Sequence, residues 1–267
     1  MTSPDHREAR ILRAATELLL RLGYRRVTVE DVATRAGVGK GTVYLHWSSR
    51  EALFRAVLEQ EVRAAVGGLL GALRAQPDTW RPHRLAHAYF LQIVGRPLLA
   101  ALALGDAELL GTLTPPEDGA GRSDHVIVGT AYFDRLRECG VLRADLEPAV
   151  VAFAFAAVLE GFLRARADAV PTGDDGHDGG TDGDPRADLL AVVVRNALET
   201  PAVLDPAEEA VVRDDVLRIL ATITDGDREE RLSPGRRLRG PRAVRGRVPL
   251  GAQRPGHRRA HPAHQGP

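Results

Sequence analysis

The chain has 267 residues, enough for one large domain or two modest ones, each with a real core. Hydrophobic residues make up an ordinary 44%, whereas aromatic residues make up only 4%. Ala, Leu, Val and Arg fill stretches with helical spacing, and runs of β-branched or aromatic alternation are nearly absent, so the composition favours an all-α protein.

Charge is segregated along the chain although the formal net charge is zero. Residues 1–60 carry ten basic and seven acidic side chains, a net charge of +3. Residues 61–225 carry fifteen basic and twenty-six acidic side chains, a net charge of −11. Residues 226–267 carry eleven basic and three acidic side chains, a net charge of +8. An acidic middle argues against a protein that coats DNA generally, and the basic ends are where a polyanion could dock.

We expect the protein to lie in the cytoplasm and not to bind or cross a membrane. Cys139 is the single cysteine, which excludes an intrachain disulfide. The first turns of the chain carry charges where a signal peptide needs an apolar run. The longest apolar run, Ala149 to Leu159, is far short of the ~20 residues that span a bilayer.

Helical spacing of apolar residues predicts a first helix from Asp5 to Leu22, closed by Gly23 in the left-handed conformation. Thr28 precedes Asp31 by three residues, a capping-box pattern that predicts a short second helix, VEDVATRA.

Gly37 is predicted to end this second helix. A third short helix is expected from Lys40 to Trp47. Ser48 and Glu51 give another capping-box pattern, which predicts the start of a long fourth helix from Arg50 to Leu73. The remaining helices are predicted over Pro82–Gly95, Pro97–Leu113 with a break near Gly105, Asp124–Cys139, Asp145–Ala167, Arg186–Glu199 and Glu208–Thr224.

Helix, tight glycine turn and short helix together predict a helix-turn-helix within residues 28–53. The first of the two helices would cross the DNA backbone and the second would lie in the major groove. We expect Val32, Val38 and Val43 to pack the two helices together and Gly41 to let the backbone approach DNA closely.

This stretch resembles the DNA-binding domain of the TetR (tetracycline-repressor-like) family. The shared pattern comprises Ala33, Ala36, Gly37, Val38, Lys40, Gly41, Thr42, Val43, Tyr44, His46, Trp47, Ser49, Arg50, Glu51, Ala52 and Leu53. The resemblance covers about residues 8–57. So many matching residues over this range make a more specific signal than a short isolated pattern.

The resemblance implies DNA contacts at eight positions. Phosphates would be held by Thr28, Thr42, Tyr44 and Arg50, and base edges or the groove wall would be faced by Lys40, Gly41, Leu45 and His46. Two residues depart from the family pattern. Gly39 stands where the family usually has a small hydroxyl residue, and Trp47 stands where it usually has Phe. We place Trp47 in the core beneath the third helix because its larger ring needs burial.

The resemblance also implies a helical regulatory domain that holds a small-molecule effector and pairs two chains through a four-helix bundle. The predicted domains are therefore 1–60 for DNA binding, 61–225 for regulation and dimerisation, with a flexible acidic loop over 171–185, and 226–267 as a disordered basic tail. The stretch from Ala149 to Leu163 is apolar almost all round, so we expect it to be buried by its own domain and by a second subunit. Candidate pocket aromatics, which could equally be simple core residues, are Tyr89, Phe90, Tyr132, Phe133 and Phe155.

Several functions stay open at this point. A homodimeric repressor released from a palindromic operator by an unknown effector fits best, and an activator or a ligand-independent DNA-binding protein of the same fold are alternatives. A helical-bundle enzyme is disfavoured because no nucleophile–base pair or metal set has credible spacing. His83 and His87 lack a third ligand, and neither the Asp-rich loop nor the tail histidines predict a metal site, so no metal and no cofactor are expected.

Overall fold

The computed structural model describes residues 4–113, 121–165 and 184–232. Within these residues the chain forms helices and short 3₁₀ turns, and its β-type pairing is a single bridge between Leu142 and Glu199. The α-helices of the described residues are α1 Pro4–Leu22, α2 Val29–Ala36, α3 Lys40–His46, α4 Arg50–Ala75, α5 Pro82–Val94, α6 Pro97–Leu104, α7 Ala107–Leu110, α8 Gly121–Glu138, α9 Pro148–Arg164, α10 Pro185–Leu198 and α11 Pro206–Leu232. The predicted all-α class is confirmed.

Local capping explains the N-terminal helices. Thr28 and Asp31 form the predicted capping box at the start of α2. Gly37 has φ +63°, a conformation that costs glycine nothing, and its backbone N–H bonds to the last turn of α2. One predicted cap was wrong: the Oγ of Ser49, and not of Ser48, accepts the backbone N–H of Ala52 at 3.0 Å.

The N-terminal core draws on more than the first four helices. Besides the buried residues of α1 to α4 it includes Leu98, Ala101, Leu110 and Leu113, which come from α6, α7 and the 3₁₀ turn Gly111–Leu113. The backbone N–H of Tyr24, in the turn after α1, donates to the carbonyl of Leu109 at 2.8 Å. The first four helices are thus packed directly on α6, α7 and the 3₁₀ turn Gly111–Leu113.

A second core is formed by the end of α4 with α5, α8, α9, α10 and α11. The 3₁₀ turn Pro77–Trp80, which the sequence analysis missed, buries Trp80 beneath it. The Tyr132 hydroxyl donates to the carbonyl of Trp80 at 2.9 Å and so fixes this turn to α8.

Helix α9 is buried on one side only. Val151 and Leu159 are buried, but Val150 is 50% exposed and Phe153 is 74% exposed. Within a single chain, one face of this apolar helix is therefore buried by its own domain, and the other face is left exposed.

The end of the helical region lies further along than predicted. Helix α11 continues to Leu232, so residues 226–232 of the predicted basic tail are helical. The Arg and Glu residues of this stretch favour helix, and Pro234 disfavours helix at the residue before it. The rest of the tail, and residues 171–183 of the predicted acidic loop, lie outside the described residues.

No single helix among the described residues is long and apolar enough to cross a membrane. Helices α5 and α6 pass the same criterion of length and composition as a pair, but they meet at a bend of 108°.

Candidate nucleic-acid interface

Helix α3 has one buried face and one exposed face. Val43 is 1% exposed and Trp47, which caps the helix, is 9% exposed, so both belong to the N-terminal core. The placement of Trp47 beneath α3 is as predicted. We call the opposite side the α3 outer face, and it consists of the exposed residues Lys40, Gly41, Tyr44, Leu45 and His46.

Two large side chains on the α3 outer face are exposed to solvent. Leu45 is 86% exposed and Tyr44 is 46% exposed. Thr42 lies between the two faces and is half-buried. The structure thus brings six of the eight predicted contact residues onto one short helix.

Thr28 lies at the N-terminus of α2, but its donors already have a partner. Its hydroxyl donates to Oδ2 of Asp31 at 2.6 Å, and its backbone N–H donates to the same oxygen at 2.9 Å. These two hydrogen bonds lower the pKa of the Asp31 carboxyl below its ordinary value. The hydroxyl that we expected to be available is engaged in the cap, so the N-terminus of α2 itself is the feature that a phosphate could approach.

Lys40 is paired with Glu30 of α2. The Lys40 ammonium lies 2.9 Å from Oε2 of Glu30, and both side chains are more than half exposed. The hydrogen bond and charge of Glu30 raise the pKa of Lys40. Because solvent screens an exposed pair, this contact is easily exchanged for a phosphate or a base edge.

Arg50, which the family resemblance also assigned to a phosphate, has a partner inside the protein. Its guanidinium lies over the Tyr24 ring, with 3.9 Å from Cζ to the ring centroid, and donates to the Tyr24 carbonyl. Its Nε is buried without a hydrogen-bond partner in the described part of the chain. Arg50 begins α4 beside the turn after α1, and this position directs its side chain inward.

Arg10 is a functional candidate that sequence reasoning missed. Its guanidinium donates to the carbonyls of Ala36 at 2.7 Å and Gly37 at 3.3 Å, and so ties α1 to the turn between α2 and α3. Arg10 positions the turn of the motif. No spacing rule could have found a contact between residues 26 positions apart.

The five candidate pocket aromatics all lie in or against the second core. Phe90, Tyr132 and Phe133 are buried, while Tyr89 and Phe155 are partly buried and pack against them. The ring centroid of Phe133 lies 4.9 Å from that of Tyr132 and 5.4 Å from that of Phe155. This packing does not distinguish a ligand-lining role from a simple core role.

The paired histidines of α5 bind separate carboxylates. Nδ1 of His83 lies 2.8 Å from Glu199, and Nε2 of His87 lies 3.3 Å from Asp188. Among the described residues, no group of three His, Cys, Asp or Glu side chains could hold a metal ion.

Comparison with known proteins matches the N-terminal helices to a family model. Residues 11–57 match the family model of bacterial regulatory proteins, tetR family. These residues, which lie within α1 to α4, are therefore similar to that family.

Among relatives, the HTH-type transcriptional activator FasR of Mycolicibacterium smegmatis is 36% identical over 90 residues, which is 34% of this chain and 41% of FasR. The chain thus matches less than half the length of this relative. The TetR-family resemblance is strongest over the helix-turn-helix, as the residue pattern implied.

Two solved structures share the fold over 73–74% of this chain. A putative tetR family transcription regulator from Shewanella sp. PV-4 superposes with a TM-score of 0.52 and 16% identity over 73% of this chain and 98% of that one. A structure described as the molecular basis for control of antibiotic production by bacterial hormones gives a TM-score of 0.50 and 26% identity over 74% of this chain and 100% of that one. The fold shared with these structures therefore extends well beyond the matched N-terminal segment.

Proposed function

We propose that this protein is a sequence-specific DNA-binding transcriptional regulator of the cytoplasm, whose helix α3 enters the major groove. The observation that carries the proposal is the exposure of Leu45 and Tyr44 on a helix whose other face is held by Val43 and Trp47. A helix fixed to a rigid unit with a polar and apolar outer face suits the reading of base edges.

The proposed contacts are those of the α3 outer face together with Thr28 and Thr42. Thr42, Tyr44 and the N-terminus of α2 at Thr28 would hold phosphates, and Lys40, Gly41, Leu45 and His46 would face bases or the groove wall. Arg50 is left out because its guanidinium is occupied by Tyr24. The proposed DNA-binding unit keeps the boundary 1–60, supported from outside by α6 and α7.

We propose a homodimer that pairs α9 and α10 with their copies. Val150 and Phe153 on α9, and Leu189 and Val192 on α10, leave 41–74% of their surface exposed. Apolar side chains clustered on neighbouring helices favour burial by a partner. Two copies would present two α3 helices to half-sites roughly 34–36 Å apart, which implies a palindromic operator.

A small-molecule effector is proposed to act through the second core, with Tyr89, Phe90, Tyr132, Phe133 and Phe155 as candidate contacts. Since Leu98 and Leu110 of α6 and α7 belong to the N-terminal core, a shift of these helices would reposition α3. A coupling of about 1–3 kcal/mol would change operator affinity roughly 5–150-fold. Control by bacterial hormones in the similar solved structure supports the same kind of regulation here.

We propose that the protein is a repressor, which the effector releases from the operator. Activation is the second candidate, favoured by the description of FasR as an activator. The position of the operator relative to the promoter separates the two.

Selection of bound duplexes from a random DNA library tests the proposal. The purified full chain is expected to enrich a palindrome with two half-sites about one helical turn apart. Enrichment of a single unpaired site would contradict the dimer, and enrichment of no sequence would contradict specific DNA binding.

A further inference from the structure

The second domain contains a cleft that has no part in the proposed DNA contacts. Its volume is about 570 Å³, within the range of small-molecule sites. It lies where the 3₁₀ turn Pro77–Trp80, the start of α5, the end of α10 and the segment 200–203 meet. The five aromatic residues discussed above do not line it.

The walls of this cleft are fixed by hydrogen bonds. The backbone N–H of Thr200 donates to the carbonyl of Val141 at 2.8 Å, and its hydroxyl donates to the carbonyl of Gly140 at 2.7 Å. Among the lining residues, Arg81 lies with its guanidinium 4.7 Å from the centre of the ring of Trp80, which is buried. A cleft with such walls is formed before any ligand arrives.

One of the two acidic groups that line the cleft is held by hydrogen bonds inside the protein. The Glu199 side chain is 4% exposed and accepts hydrogen bonds from the backbone N–H of His83 at 2.7 Å and from its Nδ1 at 2.8 Å. The start of α5 is therefore occupied by Glu199 and is not itself a ligand site.

Arginine side chains supply positive charge in the cleft. Three arginines line it, and two of them have acidic partners: Arg81 pairs with Glu209 at 3.1 Å and Arg84 with Asp78 at 3.2 Å. The third, Arg195, is exposed, and among the residues that the structure describes its guanidinium has neither a hydrogen bond nor an ion pair. A planar guanidinium in this setting matches the oxygens of a carboxylate or a phosphoryl group.

An apolar rim adjoins these charges. Pro201, Ala202 and Val203 line the same cleft, and Val203 is 90% exposed. We propose that the cleft binds a small organic oxyanion, a carboxylate or phosphate monoester, whose charged end pairs with Arg195 and whose apolar part covers Val203. This site is independent of the proposed DNA-binding function.

Calorimetric titration of the full chain with hexanoate and with butyl phosphate tests this site, with neutral hexanamide as a third probe. At least one of the two anions is expected to bind saturably at millimolar concentration or below, and hexanamide is not. The anion that binds identifies the oxyanion class. Absence of saturable binding by both anions, or equal binding of hexanamide, would overturn the proposal.

Variants locate the binding. Arg195→Gln is expected to weaken the anion at least about tenfold, a loss of about 1.4 kcal/mol. The matched control Arg143→Gln should leave affinity unchanged, because Arg143 pairs with Asp145 outside the cleft. Val203→Ser should weaken hexanoate or butyl phosphate a few-fold and leave the weaker binding of acetate or inorganic phosphate unchanged. Equal affinity of Arg195→Gln and the unsubstituted chain would refute the site.

Discussion

Gly111→Ala should loosen the attachment of α7 to the DNA-binding unit. Gly111 has φ +56° and ψ −125°, and a Cβ added there would lie 2.8 Å from Cδ1 of Tyr24. Tyr24 cannot move aside easily, since it is 7% exposed, packs edge-on against Phe54 and lies beneath the Arg50 guanidinium. The substitution therefore strains the backbone and overpacks the N-terminal core at once.

The cost follows from these two effects. A non-glycine residue in a sparsely populated backbone region costs about 1–3 kcal/mol, and an overpacked core typically costs a further ~1–3 kcal/mol. Partial movement of Tyr24 would relieve some of the clash, so we expect the free energy of unfolding to fall by about 2–4 kcal/mol.

Urea denaturation followed by circular dichroism measures this loss. Gly71→Ala is the matched control: Gly71 lies within α4, nothing lies within 4 Å of an added Cβ, and helix propensity predicts a gain of up to about 1 kcal/mol. A change within about 0.5 kcal/mol for Gly111→Ala, the size of an ordinary surface substitution, would refute the packing of Tyr24 against Gly111.

Three further predictions concern the helix-turn-helix itself. Trp47→Ala removes a buried ring and should lower the free energy of unfolding by about 3–5 kcal/mol in the same assay, and a loss below 1 kcal/mol would place Trp47 outside the core. Glu30→Gln should lower the pKa of Lys40 toward its ordinary value, which NMR titration measures. The same substitution should tighten DNA binding because a charge that repels phosphates is lost. An unchanged Lys40 pKa together with an unchanged DNA affinity would contradict the pairing of Lys40 with Glu30. Thr28→Ala should raise the pKa of the Asp31 carboxyl. Because the folded state lowers this pKa, the cap stabilises the protein above about pH 4 and its contribution is lost as the pH falls through the lowered pKa, so the variant should lose less stability on acidification than the unsubstituted chain.

Local signals predicted much of the N-terminal unit. The capping box of Thr28 and Asp31, the glycine turn at Gly37 and the division of α3 into Val43 on one face and Tyr44 on the other are each set by residues within four positions of one another. Such signals are legible in one sequence because the responsible hydrogen bonds and side-chain spacing are local.

Contacts distant in sequence were not predictable. Arg50 was assigned to a phosphate because nothing near it in sequence shows that Tyr24 would receive its guanidinium. The same holds for the entry of Leu98 and Leu110 into the N-terminal core and for the pairing of His83 with Glu199. Each depends on how whole helices pack, which spacing along one helix does not determine.

Affinity for the selected palindromic duplex, compared between two leucine variants, tests the central claim most directly. Leu45→Ala alters the α3 outer face, whereas Leu20→Ala removes a leucine that is 40% exposed on α1 of the same unit. Leu45→Ala should weaken specific binding about tenfold, with unfolding and nonspecific binding unchanged, and Leu20→Ala should leave affinity as it was. Equal affinity of both variants and the unsubstituted chain would contradict the docking of α3 in the major groove.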